Sequence, residues 1–453
     1  MMAIKKISLH NTLTRQKDEL VPVKPGEIGI YSCGPTVYWN QHIGHMYCYT
    51  QWDSLVRFLR YLGYKVNWVM NITDVGHLTS DGDIGDDKME KGAKRENLSV
   101  WEIADKYIEQ FMESLELLNI QKPDVFCRAT EYVQEQIDLA KLIEKNGFAY
   151  QTGTGLVFDT SKFAQYPDFA NLDLGQQEAG SRVDVDQDKK QPWDFLLWVN
   201  NQPNHIMQWD SPWGRGFPGW HLECTAMSVK HLGQRFDIHT GGREHIPVHH
   251  TNEIAQGYGA FGHQTANFWI HNEWLNLKGE KMSKSKGNFF TVADLKAKGF
   301  DPLAHRYLIL SSHYRKGLDF SWQALKGAQR ALERLQKAFS NWQGEPKESQ
   351  ETKQWQERFI EVLADDLNWP KAMAVVWEMV KSDLSDQEKK YLLLDWDQVL
   401  GFKIGQLPKT KKASKEIQEL LDRRERLRKE KKYQEADKVR EKIKKLGYDV
   451  VDA

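Results

Sequence analysis

The sequence predicts an α/β protein: a Rossmann-like, doubly wound domain split by an insertion, then an α-helical bundle and a small basic C-terminal region. Three observations carry that prediction. An apolar, β-prone run, Ile28-Gly29-Ile30-Tyr31-Ser32-Cys33, leads through a proline-bearing turn into a long amphipathic stretch. A second α/β pattern returns over residues 216–275, after a tryptophan-rich segment of short β-like pieces. From about residue 290 the apolar spacing is helical throughout.

The first unit reads as strand, turn, helix. Trp52, Leu55, Val56, Leu59 and Leu62 recur at helical spacing, with Arg57 and Arg60 between them. His42-Ile43-Gly44-His45 then falls in the helix's first turn. Free N–H groups and the positive dipole end make such a terminus an anion site. His42 and His45 add donors, and Gly44 lets a flat base or a phosphate come close to the backbone. Residues 65–73 form a second strand, ending in polar Thr73-Asp74 where a ligand crevice is expected. The glycine- and charge-rich stretch 76–97 reads as a surface loop; its aspartates do not match calcium-loop spacing.

Helical patterns follow at 101–119 and 130–146. Residues 148–215 read as an insertion whose tryptophans (Trp193, Trp198, Trp209 and Trp213) pack rather than stack on bases. A strand at 235–239 runs into Thr240-Gly241-Gly242, a turn that admits a ligand to the backbone, and 249–259 is the next helix. The bundle comprises helices at 324–342, 355–363, 370–380 and 387–400, with Pro370 near a helix start. After Lys409 basic residues outnumber acidic ones, and the apolar stripe Tyr433, Ala436, Val439, Ile443 and Leu446 marks a last helix flanked by lysines, which suits a nucleic-acid backbone.

Composition bounds the rest. The chain has 453 residues and a formal net charge of −1, enough for about three structural units. Its four cysteines are far apart in sequence, as expected in a reducing cytosol. The start, Met1-Met2-Ala3-Ile4-Lys5-Lys6, lacks the long apolar region of a secretion signal, and no apolar run approaches a membrane span. A cytoplasmic monomer without membrane contact is expected.

Two further sets carry chemistry. Lys281-Met282-Ser283-Lys284-Ser285 is a basic loop that can lay ammonium groups on a polyphosphate. Cys33, Cys224, His249 and Glu253 are scattered, yet two thiolates, an imidazole and a carboxylate make a plausible zinc set, with His249 and Glu253 on one helix face. His250 is a competing ligand, about 100° round an α-helix from His249.

The pairing of the two signatures resembles class I aminoacyl-tRNA synthetases. The stretches Tyr31-Ser32-Cys33-Gly34-Pro35-Thr36-Val37-Tyr38, Asn71-Ile72-Thr73-Asp74-Val75, Pro218-Gly219-Trp220-His221-Leu222-Glu223-Cys224 and His249-His250-Thr251-Asn252-Glu253-Ile254-Ala255-Gln256 narrow the resemblance to the cysteinyl-tRNA synthetases. It covers nearly the whole chain. Departures are a longer loop after Val75, Thr251 in place of a common glutamate, Glu244 in place of an aspartate and Val199 in place of a frequent lysine.

The resemblance implies ATP-dependent activation of L-cysteine and its transfer to tRNA(Cys). It implies one zinc ion on Cys33, Cys224, His249 and Glu253, and Mg²⁺ accompanying ATP. His42, His45, Lys281 and Lys284 would be catalytic. Gly44, Gly241, Gly242 and Glu244, with His42, His45 and Lys284, would bind ATP, and Gly34, Thr73 and Trp220 the amino acid. The expected divisions are 1–120 and 216–275 for the two catalytic halves, 121–215 for the insertion, 276–320 for the basic loop and stem contact, 321–405 for the bundle and 406–453 for the tRNA-binding (anticodon) region. Rival readings are a cysteine-activating ligase with an amino-sugar acceptor, a non-catalytic RNA-binding relative, and a purely structural metal.

Overall fold

The computed structural model describes residues 6–77, 87–172, 188–202, 204–277, 280–281, 289–406, 415–430 and 432–445. Its centre is a five-stranded sheet in the order Ala266–Asn272, Phe236–Gly242, Glu27–Ser32, Lys65–Ile72, Val125–Arg128, with every neighbouring pair parallel. The chain builds one half outward from Glu27–Ser32, then returns to build the other half on its opposite edge. That reversal leaves a crevice at the carboxyl ends of Glu27–Ser32 and Phe236–Gly242.

Alternation along the strands divides the core between the sheet's two faces. Ile28, Ile30, Trp68 and Met70 pack with Trp52, Leu55 and Leu59 of the helix Ile43–Tyr61. Tyr31 and Val69 pack with Leu222 of Trp220–Leu232 and Ile254 of Thr251–Phe261. Arg57 and Arg306 both meet the buried Asp53 carboxylate, at 2.8 and 2.6 Å. Arg306 also donates to Leu400 O at 2.6 Å, so the helix behind the first signature is fastened to the bundle. Paired charges of this kind hold geometry, because removing one partner leaves the other buried and uncompensated.

The insertion expected at 121–215 is narrower at its start and longer at its end, because Val125–Arg128 pairs into the central sheet and Gly216–Pro218 closes a separate four-stranded antiparallel sheet with Ala149–Gln151, Gly155–Phe158 and Phe195–Asn200. Trp198 and Trp213 are buried in it. A three-stranded sheet holds the hairpin Leu275–Leu277 and Glu280–Lys281 beside Leu318–Phe320. The bundle helices are Trp322–Asn341, Gln350–Ala364, Trp369–Lys381 and Asp386–Leu400. Side-chain caps from Ser321, Ser349, Asn368 and Ser385 start them. The last two helices, Lys415–Lys429 and Tyr433–Lys445, share a small core of Leu420, Val439 and Ile443. Tyr433, expected in the apolar stripe, is exposed because it opens the helix beyond the reach of that core; Leu446 lies outside the described residues.

Two readings of local structure are corrected. The stretch 76–97 is not all loop: Lys88–Glu96 is a helix, capped by Asp87, whose Met89 and Ala93 pack on Val37, Ile72 and Ile103. Its few apolar residues are spent on that one contact, so the segment reads as polar. Thr240-Gly241-Gly242 is not a turn but the end of a strand, with Gly241 and Gly242 paired to His271 and Asn272.

Candidate active site and metal centre

The crevice opens into a cavity of about 600 Å³, within the usual range for small-molecule sites. Cys33, Gly34, His42, Gly44, His45, Thr73, Trp220, Cys224, Gly242, Glu244 and His249 all line it. Residues from five separate stretches thus meet at one place. Among the described sequence-derived candidates, Gly241, Glu253 and Lys281 do not line it.

His42 is the N-cap of Ile43–Tyr61, and its Nδ1 accepts a hydrogen bond from the His45 backbone N–H at 3.1 Å. A neutral His42 ring therefore carries its proton on Nε2. The two imidazoles stack with centroids 3.6 Å apart, and Phe289 stands edge-on to His42 at 5.2 Å. A Cβ on Gly44 would lie 2.8 Å from Cε1 and 2.9 Å from Nδ1 of His42. The glycine's first effect is thus to seat the histidine, where sequence reasoning gave the space to a ligand.

Gly34 shows the same pattern. A Cβ there would fall 1.7 Å from Asn71 O, while Gly34 N donates to Asn71 Oδ1 at 2.8 Å. At Gly241 and Gly242 an added Cβ would run into the His245 and His250 rings and the Glu244 carboxylate. Glu244 accepts from Trp274 Nε1 at 2.8 Å. Lys281 pairs through its backbone with Asn276; Lys284 lies outside the described residues, as do Asp81, Asp83 and Asp86.

The four predicted metal ligands converge. Their donor atoms all lie within 4.8 Å of one another, and all four residues are buried. Cys33 Sγ and Cys224 Sγ are 4.0 Å apart, Cys224 Sγ and His249 Nε2 3.4 Å, and His249 Nε2 and Glu253 Oε1 3.1 Å. Tetrahedral zinc with bonds of about 2.0–2.3 Å requires such edges to be about 3.4–3.8 Å, so the set needs only a few tenths of an ångström of adjustment. Glu253 Oε1 is buried and, despite its closeness to His249, makes no aligned hydrogen bond. These residues fit a divalent ion.

The electrostatics agree at two of the four donors, Cys224 and Glu253. Burial pushes the Cys224 thiol up, but the Cys33 hydrogen bond and the His249 charge outweigh it and bring it down to about 7. Burial disfavours a charged His249, yet Cys224 and Glu253 raise it to about 10. Against its own desolvation, Glu253 is held at about 2 by His239 and His249. The pocket thus holds Glu253 ionised and favours a Cys224 thiolate, whereas burial and the neighbouring Cys224 push the Cys33 thiol up, so Cys33 and His249 each give up a proton when a metal binds.

His250 comes nearer than α-helical geometry predicts. Ile246–His250 is a π turn, which changes the angular spacing, and both rings face the cluster. His250 Nε2 is 3.3 Å from Cys33 Sγ, and with Cys33, His239 and Glu253 it forms an overlapping second donor set. Its Nδ1 meets His271 Nε2 at 2.7 Å, and His271 Nδ1 meets Thr12 Oγ1 at 2.7 Å. His239 Nε2 in turn holds Glu253 Oε2 at 2.9 Å. His239, His250 and His271 thus act as supports behind the ligands. Sequence reasoning passed over His239 and His271. The available signal was local crowding, six of 15 histidines falling between positions 239 and 271.

Trp220 is only half-buried, with its ring 4.4 Å from that of His249. Thr73 Oγ1 donates to Glu223 Oε2 at 2.9 Å, and His77 Nε2 meets Glu223 Oε1 at 2.5 Å. Glu223 stands inside the quoted Pro218–Cys224 stretch but was given no role there, and His77 falls in the charged stretch 76–97 that reads as a surface loop.

A family model described as the tRNA synthetases class I (C) catalytic domain matches residues 19–330. The cysteine--tRNA ligase of Treponema denticola is 41% identical over 475 residues, covering 97% of this chain and 96% of its own. Cysteine--tRNA ligase 1 of Burkholderia lata is 44% identical over 450 residues, covering 98% and 95%. Among solved structures, methionyl-tRNA synthetase of Mycobacterium tuberculosis in complex with methionyl-adenylate superposes with a TM-score of 0.58 at 15% identity, covering 84% of this chain and 92% of that one. At that identity the superposition speaks for the fold alone.

Proposed function

Because this chain belongs to the cysteinyl-tRNA synthetase family of class I and is a cysteine--tRNA ligase, we propose the following assignment of its residues to the two steps. In the first, the carboxylate of L-cysteine attacks the α-phosphorus of ATP. A C–O–P anhydride forms, the bond to the β-phosphate breaks, and pyrophosphate leaves with the bonding electrons. Little covalent work falls to the protein in such a transfer; alignment and charge stabilisation do most of it.

His42 and His45 hydrogen-bond the phosphates as charge builds on them, supported by the cap that fixes the His42 ring. Lys281 and Lys284 neutralise the departing pyrophosphate, with Mg²⁺ accompanying ATP. Gly44 leaves the helix terminus open, Gly242 flanks the adenosine with Gly241 behind it, and Glu244 meets the ribose. In the second step the 2′-hydroxyl of the terminal tRNA ribose attacks the acyl carbonyl and AMP leaves. The basic C-terminal helices Lys415–Lys429 and Tyr433–Lys445 hold the tRNA backbone. The working form in this reading is a cytoplasmic monomer. No described helix is long and apolar enough to cross a membrane.

The observation that carries the specificity reading is the buried Cys33, Cys224, His249 and Glu253 cluster opening on the same cavity as His42. Cysteine and serine differ by one atom, and pocket shape alone separates such near-isosteres by roughly 10–200-fold. A zinc ion held by these four side chains would favour a soft thiolate strongly over an alcohol. Gly34, Thr73 and Trp220 complete the amino-acid pocket. Metal analysis of the purified protein, with cysteine- and serine-dependent pyrophosphate exchange, tests this. About one zinc per chain is expected, with Cys224→Ala losing both the metal and the preference for cysteine. A zinc-free protein that still selects cysteine as strongly would overturn it.

A further inference from the structure

The cavity must receive two anions, a carboxylate and a triphosphate, and bring them into contact. Among the described residues its lining includes two carboxylates, Glu244 and Glu273, and just one lysine or arginine, Lys88. Lys88 lies 5.7 Å from the centroid of the Trp220 ring, whose own near neighbour is His249 at 4.4 Å. The ammonium is therefore one indole away from the metal-ligand cluster. A cysteine whose sulfur meets that cluster can reach roughly 4–5 Å further with its carboxylate, the span of its remaining covalent bonds, a reach comparable to the indole that separates the cluster from Lys88.

Lys88 is also held in place. It is the first residue of the helix Lys88–Glu96, and its backbone N–H donates to His77 O at 3.2 Å. His77 grips Glu223, which accepts from Thr73 on the cavity wall. On its other side Asp87 caps the helix through Oδ1 and meets His205 of the insertion at 2.6 Å through Oδ2. Further along, Arg95 lies over the Trp39 ring at 3.4 Å. So many anchors on one nine-residue helix position its first side chain at the amino-acid end of the cavity.

We infer that Lys88 is a catalytic residue of the activation step: its ammonium pairs with the substrate cysteine carboxylate and then with the α-phosphate oxygens that this carboxylate attacks. The role rests on the reading that the cavity activates cysteine. It leaves the phosphates beyond the α-position to the signature residues. The carboxylate oxygen forms the new bond to phosphorus and the bridging oxygen departs with pyrophosphate. Lys88 stays protonated throughout, so no proton is exchanged with the reactants.

The test compares Lys88→Gln and Lys88→Arg with the unaltered zinc-loaded enzyme. Removing a preorganised donor at a developing charge costs about 10²–10³-fold in rate, so Lys88→Gln should lose that much cysteine-dependent pyrophosphate exchange, with part restored in Lys88→Arg. Calorimetric affinity for cysteine should fall about tenfold, while affinity for cysteamine, which has no carboxylate, should stay unchanged. Exchange and cysteine affinity within threefold of the unaltered enzyme would overturn the assignment. So would an equal loss for cysteamine, which would mean that Lys88 only shapes the pocket through Trp220. Failure of the unaltered enzyme to exchange would instead refute the underlying reading of the cavity.

Discussion

Gly44→Ala separates folding from catalysis at the first signature. The new methyl would stand 2.8–2.9 Å from the His42 ring, closer than real contacts allow, and the ring is the group able to move. Swinging it away breaks the bond from the His45 N–H to Nδ1, a cap worth about 1 kcal/mol. Replacing glycine by alanine within a helix returns about 0.5–1 kcal/mol. Net stability should therefore change by less than about 1 kcal/mol. Activity should not be spared, because a misplacement of about 1 Å in a positioning group costs on the order of 10²-fold. His42→Asn is the companion variant: asparagine is an equally good cap but lacks the distal N–H. Both should unfold near the unaltered protein in urea and lose about 10²-fold in pyrophosphate exchange. Gly44→Ala with an unchanged exchange rate would refute the argument that the glycine seats His42. Unchanged exchange in His42→Asn would refute the role of Nε2.

Two more outcomes are expected. Ending the chain after Gln406 removes a helix pair with its own small core, so exchange should stay within twofold while charging of tRNA(Cys) drops at least tenfold; equal charging would remove the tail from tRNA binding. His305, buried and donating to Ile43 O at 3.3 Å, is pushed down by burial to about 4 from 6.5. The unfolded chain then binds the extra proton first, and stability is lost as pH falls from about 6.5 to about 4, by on the order of a few kcal/mol. His305→Gln should flatten that share of the acid slope in urea titrations at pH 7 and pH 5. An identical slope in the variant would refute it.

Much of the site was legible because its parts are local. The strand, cap and helix around His42, the helical spacing of Trp52 to Leu59 and the i, i+4 pair of His249 and Glu253 each follow from short-range geometry. So does the caps-and-stripes pattern of the bundle. Chemistry offered Cys33 and Cys224 as soft donors no more than Cys48 and Cys127; the family resemblance singled out the pair, which 190 intervening positions separate in sequence.

What the sequence by itself determined, then, is which side chains were available and which elements carried them; only the tertiary structure decided what those elements meet. The π turn at Ile246–His250 brought His250 round to Cys33. Packing of Met89 and Ala93 on a distant core made a helix of a stretch that reads as loop, and so delivered Lys88 to the cavity. Gly34 and Gly44 proved to be clearances for Asn71 and His42. Periodicity is written in neighbours a few residues apart, whereas these contacts join residues tens to hundreds of positions away, and their distances exist only once the sheet has set its strand order.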